Sequence, residues 1–191
     1  MSIYDLKPKF QQLLRPIIEN LHKKGVTPNQ VTLWAIYLSI LGGAFVYLSS
    51  ISKYFLFLIP IVLFVRMALN AIDGVLARDF DQMSDKGAIL NELGDVVSDT
   101  ILYLPFIVIL DKNLVIIFVV LAILSEFAGI LAWAVYGTRR YNGPLGKSDR
   151  AFLIGLISLL IAVYDLINIS NFLLAVAIVL LIPTIYNRSK A

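Results

Sequence analysis

Cysteine is absent from the 191 residues, and histidine occurs once, at His22. Disulfides and thiolate metal sites are thereby excluded, and a zinc centre lacks its usual donors. Any metal must be held by oxygen, which selects hard cations such as Mg²⁺, Mn²⁺ or Ca²⁺. Charge is scarce as well. Only 15% of the residues are Asp, Glu, Lys or Arg, against 59% hydrophobic, and the mean hydropathy is +0.85. Soluble domains carry far more charge than this, so the composition is that of an integral membrane protein. Between Met1 and Val26 no compact apolar run precedes a small-residue cleavage site, and a cleavable signal peptide is not expected. Internal repeats and low-complexity segments are also missing, which leaves an inverted-repeat transporter architecture unsupported.

What is present reads as helices. From Ile3 to Lys24, Leu6, Phe10, Leu13, Leu14, Ile17, Ile18 and Leu21 recur at intervals of three and four, interleaved with Lys7, Lys9, Arg15, Lys23 and Lys24. That pattern predicts an amphipathic helix lying in the membrane interface over residues 1–26. Thr27-Pro28-Asn29-Gln30-Val31-Thr32 reads as a helix start, with Thr27 capping and Pro28 in the first turn. Residues 27–191 then form a second region of six spans, each near the roughly 20 residues a bilayer demands. They are expected at about Val31–Tyr47, Tyr54–Ala77, Gly87–Ile109, Leu114–Tyr136, Ala151–Tyr164 and Asn171–Tyr186, the fifth being short. The fold class is therefore all-α, with six transmembrane helices behind an N-terminal interfacial helix.

Six spans place both termini on one side. That side collects Lys7, Lys9, Arg15, Lys23, Lys24, Arg78, Lys86, Arg139, Arg140, Lys147, Arg150, Arg188 and Lys190, whereas the other holds Lys53 and Lys112. The positive-inside rule makes the first side cytoplasmic. The net charge of +3 follows from this asymmetry and suits an anionic inner leaflet rather than nucleic acid. Phe and Tyr in most spans, with Trp34 and Trp133, suit lipid-facing or interfacial positions.

Polar residues inside the apolar segments carry the chemistry, since ionisable groups at membrane depth are costly and mark function. On the second span Asn70, Asp73 and Ala77 share a helix face, and on the third Asn91, Asp95 and Asp99 do the same. At about 1.5 Å per residue, Asp73 falls roughly 7 Å below Arg78, and Asn91 and Asp95 fall roughly 6 and 12 Å below Gly87. Facing helices would bring Asn70, Asp73, Asn91 and Asp95 into one oxygen-lined cavity open to the cytoplasm. Gly74 and Gly87 would let a nucleotide or a neighbouring helix approach the backbone, and Arg78 could meet a phosphate or carboxylate in two-point contact.

The stretch Asn70-Ala-Ile-Asp73-Gly74-Val-Leu-Ala77-Arg78, followed by Gly87-Ala-Ile-Leu-Asn91-Glu92-Leu-Gly94-Asp95, resembles the signature of the CDP-alcohol phosphatidyltransferases, D-x-x-D-G-x-x-A-R-x8-G-x-x-x-D-x-x-x-D. The spacing matches throughout, and asparagine replaces aspartate at 70 and 91. Many members also carry T-P-N-x-x-T before the first span. The resemblance implies transfer of a phosphatidyl group from CDP-diacylglycerol to a small polar alcohol, with or without a phosphate of its own, and release of CMP. It implies Mg²⁺ or Mn²⁺ held by Asn70, Asp73, Asn91 and Asp95, with Asp95 as base or further ligand, Asp73 as its catalytic companion, and Gly74, Ala77, Arg78 and Gly87 around the nucleotide. A homodimer in the inner membrane, with the active site facing the cytoplasm, is implied too.

The two asparagines remove two negative charges, which suits a single metal ion or weak binding completed by the substrate diphosphate. Glu92 and Asp99 lie near enough in sequence to compensate. The same change leaves a second reading open, a relative that binds liponucleotide without turning it over. Deeper in the bilayer, Arg66 is expected to pair with Asp99, Glu126 or both, because an unpaired guanidinium there is costly. On the cytoplasmic side Arg139-Arg140-Tyr-Asn-Gly-Pro-Leu-Gly146-Lys147-Ser148-Asp149-Arg150 forms a basic loop, with Ser148 able to cap the next helix. It is either a solvated positive-inside loop or an anion pocket. Resemblance to the family's G-K-x-x-R favours Lys147 and Arg150 as phosphate ligands.

Overall fold

The computed structural model describes the backbone of residues 3–190 and the side chains of residues 10–190. The expectations resting on Leu6, Lys7 and Lys9 as side chains lie outside the described residues. Helices carry the chain: α1 (Ile3–Lys23), α2 (Pro28–Leu48), α3 (Leu58–Asp79), α4 (Asp85–Tyr103), α5 (Lys112–Tyr136), α6 (Lys147–Tyr164) and α7 (Ile167–Ser189), with no strand among the described residues.

Four segments are long and apolar enough to cross a membrane: α2, the stretch Lys53–Asp79 that includes α3, α5 and α7. The third and fifth expected spans are of another kind. Asp85, Lys86, Glu92, Asp95 and Asp99 punctuate α4, and α6 begins with Lys147, Asp149 and Arg150. Nor is the third expected span one unbroken helix. Past Tyr103 the chain tightens into a 3₁₀ turn at Leu104–Val108, where Pro105 has no N–H to donate to an α-helical ladder. A second 3₁₀ turn, Lys53–Phe57, leads into α3, whose Pro60 sits in the first turn, where N–H groups have no intrahelical partner.

The chain divides into two compact units, one made of residues up to Leu38 with Phe64–Ser98, the other of Ser39–Leu63 with everything from Asp99 onward. Each of α2, α3 and α4 contributes one part to each unit.

In the first unit, the expected start of α2 is realised. The Thr27 N–H donates to Gln30 Oε1 (2.9 Å) and the Gln30 N–H returns to Thr27 Oγ1 (3.4 Å), satisfying two otherwise orphaned donors. Leu14 and Ile18 of α1 bury against Val31 of α2 and Ile72, Val75 and Leu76 of α3. Leu13 and Ile17 on the same helix stay 74% and 52% exposed, which leaves α1 with apolar surface that its own unit does not cover. Polar contacts fix its other flank: Arg15 bridges Glu19 and Asp79, and His22 stacks on Phe80 at 4.0 Å while meeting Gln82.

In the second unit α5 packs along α7, and α6 packs against α7 and the turn at Lys53–Phe57. Leu56, Ile59, Leu102, Phe106, Phe118, Ile157, Leu174 and Leu181 close its apolar core. Small residues allow close approach, as lipid supplies no hydrophobic force between helices. A Cβ on Gly42 would lie 2.9 Å from Val62 Cγ1 and 3.0 Å from Leu102 Cδ1. Asp111 caps α5 through the N–H groups of Asn113 and Leu114. At α6 the cap differs from expectation. Ser148 plays no such part; Asp149 accepts from the Gly146 N–H at 2.8 Å, placing a carboxylate at the helix N-terminus.

Candidate active site

Eight of the ten residues singled out in the sequence fall in the first unit, on the signature stretches of α3 and α4. Asn70, Asp73, Gly74, Ala77 and Arg78 come from α3, and Gly87, Asn91 and Asp95 from α4. The two helices meet as the spacing predicts: Asn70 Nδ2 donates to Asp95 Oδ1 at 3.2 Å. Asp73 is 4% exposed and accepts from Thr32 Oγ1 at 3.0 Å, while Asn70, Asn91 and Asp95 are half-buried. The guanidinium of Arg66, one turn before Asn70, reaches the main-chain carbonyl of Asp95 at 3.4 Å.

The two glycines behave differently. At Gly87 a Cβ would stand 2.8 Å from Asn29 Oδ1 and 2.9 Å from Ser84 Oγ, so a side chain there would displace these two polar groups. At Gly74 the neighbour is the Arg78 guanidinium, 3.3 Å from where a Cβ would be, lying back over the bare backbone. Arg78 itself is exposed. It lines a cavity of about 460 Å³ together with Gln11, Gln12, Arg15, Val75 and Asp79.

Asn29 and Thr32 were read in the sequence only as part of a helix start. The structure adds that Asn29 faces Gly87 and that Thr32 holds Asp73 and packs its methyl near Gly94, where a Cβ would be 3.3 Å away. Their signal was the T-P-N-x-x-T segment itself: polar side chains three apart at the mouth of an apolar helix share a face.

The donors suit a hard divalent cation. Asp73 and Asp95 supply carboxylate oxygens, and Asn70 and Asn91 supply amide oxygens. Among the described residues no three His, Cys, Asp or Glu side chains gather to hold a metal. Two carboxylates and two amides would fit one ion finished by oxygens from a ligand rather than an all-protein cage.

The two remaining residues, Lys147 and Arg150, are in the second unit, in the first turn of α6. Lys147 is half-buried and Arg150 is 0% exposed. Arg150 Nη2 is bound to Glu126 Oε1 (2.8 Å) and Asp99 Oδ2 (3.1 Å), and its Nη1 to Ser125 Oγ (3.2 Å). Glu126 also accepts from Arg188 Nη1 (3.0 Å) and Arg139 Nη2 (3.1 Å). Arg66 is the partner expected from the sequence; the structure adds that Arg150 meets both acids and that Arg139 and Arg188 join it on Glu126. The guanidiniums come from three segments distant in sequence from the acids, a pairing no local pattern reports.

Residues 25–183 match the model of the CDP-alcohol phosphatidyltransferase family. The chain belongs to that family. It is similar over its whole length to the inner membrane protein YnbA of Escherichia coli, with 48% identity covering 100% of this chain and 96% of that protein. Over about half of each chain (49% and 47%) it is 34% identical to the archaetidylinositol phosphate synthase of Pyrococcus horikoshii. The fold is shared with the phosphatidylinositol phosphate synthase PgsA1 of Mycobacterium tuberculosis. With CDP-DAG bound, that structure has a TM-score of 0.75 at 21% identity, covering 93% of this chain and 92% of its own. In complex with manganese and citrate the TM-score is 0.74 at 22% identity, covering 91% and 85%. The chain is thus a membrane-spanning member of a phosphatidyltransferase family.

Proposed function

We propose that the protein transfers the phosphatidyl group of CDP-diacylglycerol to a hydroxyl of a small polar alcohol and releases CMP. The observation that carries this is the contact of α3 with α4 through Asn70 and Asp95 at 3.2 Å, one turn from Asp73 and within the D-G-x-x-A-R-x8-G spacing. Asp95, half-buried and on the later helix, takes the proton of the acceptor hydroxyl as its oxygen attacks the phosphorus. The phosphorus–oxygen bond to CMP breaks and the electron pair leaves on the CMP phosphate. Thr32 keeps Asp73 oriented by donating to it. Gly74 and Gly87 give the nucleotide access to the backbone, beside Ala77. Arg78, exposed next to its cavity, meets the diphosphate. Mg²⁺ or Mn²⁺, held by Asp73, Asp95 and the amide oxygens of Asn70 and Asn91, would supply charge neutralisation of the diphosphate. Lys147, half-buried in the first turn of α6, would meet a lipid or acceptor phosphate, whereas Arg150 is enclosed.

In this reading α4 and α6 complete six spans with α2, α3, α5 and α7, and residues 1–26 form an interfacial region whose exposed Leu13 and Ile17 meet lipid. Residues 27–191 make the catalytic region. The basic residues place both termini and the motif on the cytoplasmic side, and a homodimer follows from the family alone.

The test is CMP release from CDP-diacylglycerol by purified protein with Mg²⁺ or Mn²⁺ and a panel of alcohols, with Asp95→Asn beside it. Metal-dependent release that one alcohol stimulates and the variant loses supports the transferase. Saturable liponucleotide binding without release supports the second reading, a non-catalytic relative. The amides at 70 and 91, and the use of one of them to hold Asp95, favour that alternative.

A further inference from the structure

Helix α1 carries three stripes. Leu14 and Ile18 are buried in the core of the first unit, Leu13 and Ile17 stay exposed on one side of them, and Gln11, Gln12, Arg15 and Glu19 lie on the other. The polar stripe looks across the cavity of about 460 Å³ towards Val75, Arg78 and Asp79 at the end of α3. A cavity of that size suits a small molecule rather than a lone ion. Its place along α3 is informative. Asp79 is the last residue of the spanning stretch Lys53–Asp79, and Val75 lies one turn inside it. The cavity therefore stands where an apolar span meets the headgroup layer of a bilayer.

Of the two arginines on its walls, one is engaged. Arg15 Nε donates to Glu19 at 3.1 Å and its Nη1 to Asp79, which ties the polar stripe of α1 to the end of α3. The Arg78 guanidinium makes no hydrogen bond or ion pair among the described residues, and it lies back over Gly74, beside the face that carries Asn70 and Asp73. One guanidinium answers one negative charge, which is the charge of a phosphodiester, and its fork can take two of the oxygens. The Gln11 and Gln12 amides bring N–H donors without further charge, and ester carbonyls accept only. We propose that this cavity binds the phosphate and glycerol esters of a glycerophospholipid, Arg78 taking the phosphate and Gln11 and Gln12 the ester carbonyls. Arg15 is a positioning residue that holds the glutamine wall opposite Arg78. The donor liponucleotide and a phospholipid of the surrounding leaflet share this chemistry. With the donor, the cavity receives the phosphatidyl half of the molecule whose diphosphate meets Arg78.

The experiment is saturable binding to the full-length protein in dodecyl maltoside, read as a rise in melting temperature. The probes are dioleoyl phosphatidylglycerol, CDP-diacylglycerol, dioleoylglycerol, which lacks the phosphate, and CDP, which lacks the esters. Wild type should bind at least one of the two phospholipids saturably and dioleoylglycerol not at all. Gln11→Ala/Gln12→Ala should weaken phospholipid binding at least about tenfold, the worth of two modest hydrogen bonds, and leave CDP binding unchanged. Gln12→Glu, a single change at an exposed position, should weaken it too, because its carboxylate would face the phosphate; this arm does not depend on the double variant folding. A response to CDP-diacylglycerol alone assigns the site to the donor, and a response to phosphatidylglycerol assigns it to lipid of the leaflet; either upholds the proposal. No saturable phospholipid binding by wild type, unchanged affinity in both variants, or an equal loss of CDP binding overturns it. Turnover plays no part in this readout, so an absence of CMP release counts against the transferase reading alone.

Discussion

The two units use the same few residue types to opposite ends. In the first, two carboxylates and two amides line α3 and α4, and their partners are a threonine hydroxyl and another amide. In the second unit the carboxylates of Glu126 and Asp99 meet guanidiniums, and the group is sealed from solvent. Asp73 and Asp95 have a hydroxyl and an amide among their donors, whereas Glu126 and Asp99 are tied by arginines into a joint.

The sharpest way to break this contrast is to take the counter-charge out of the joint. Glu126→Gln leaves Arg139, Arg150 and Arg188 without the carboxylate they share, and should lower stability by about 3–5 kcal/mol, read by chemical denaturation in mild detergent. Asp95→Asn is the corresponding change in the site. It should cut CMP release about a hundredfold or more while leaving the melting temperature close to wild type, because Asn70 can still donate to an amide oxygen. If Asp95→Asn instead unfolds the protein, the first unit is a joint as well.

Two smaller changes sharpen the picture. Thr32→Val keeps the shape of the side chain but strips Asp73 of its buried donor, at an expected cost of about 1.5–3 kcal/mol, together with weaker binding of Mn²⁺. Asn70→Asp restores the charge that the family signature carries. It sets two carboxylates side by side, so the melting temperature should fall without metal and recover with Mn²⁺, with affinity rising about tenfold, or 1.4 kcal/mol. A variant indifferent to Mn²⁺ would argue that α3 and α4 do not hold a cation between them.

Much of the first unit was legible because its information is local. Asp73, Gly74, Ala77 and Arg78 sit at helical spacing on one segment, and the Thr27–Gln30 cap is written within four residues. Helix breaks were less visible: Pro105 lies inside a run apolar enough to read as one span, yet its missing N–H ends α4 early. At the start of α6, Ser148 and Asp149 are both capping residues one position apart, and only the backbone decides that Asp149 reaches Gly146. The joint in the second unit could not be read. Arg150 finds Glu126 across 24 residues and Arg188 finds it across 62, and depth along a span alone made Arg66 an equally good partner.

The direction of those separations matters during synthesis. Glu126 leaves the ribosome before Arg139, Arg150 and Arg188, so α5 enters the bilayer with its acid uncompensated, at about 2.5–3.5 kcal/mol for such a group at the centre of a span. Its hydropathy of 2.8 over the most apolar window, the highest of the four spanning segments, offsets that burden. Arg139 emerges next, thirteen residues later, and the bare backbone at Gly129 lets it fold back at once onto the waiting acid. The guanidiniums of α6 and α7 then arrive where a negative charge already stands, so the arginines are never inserted alone.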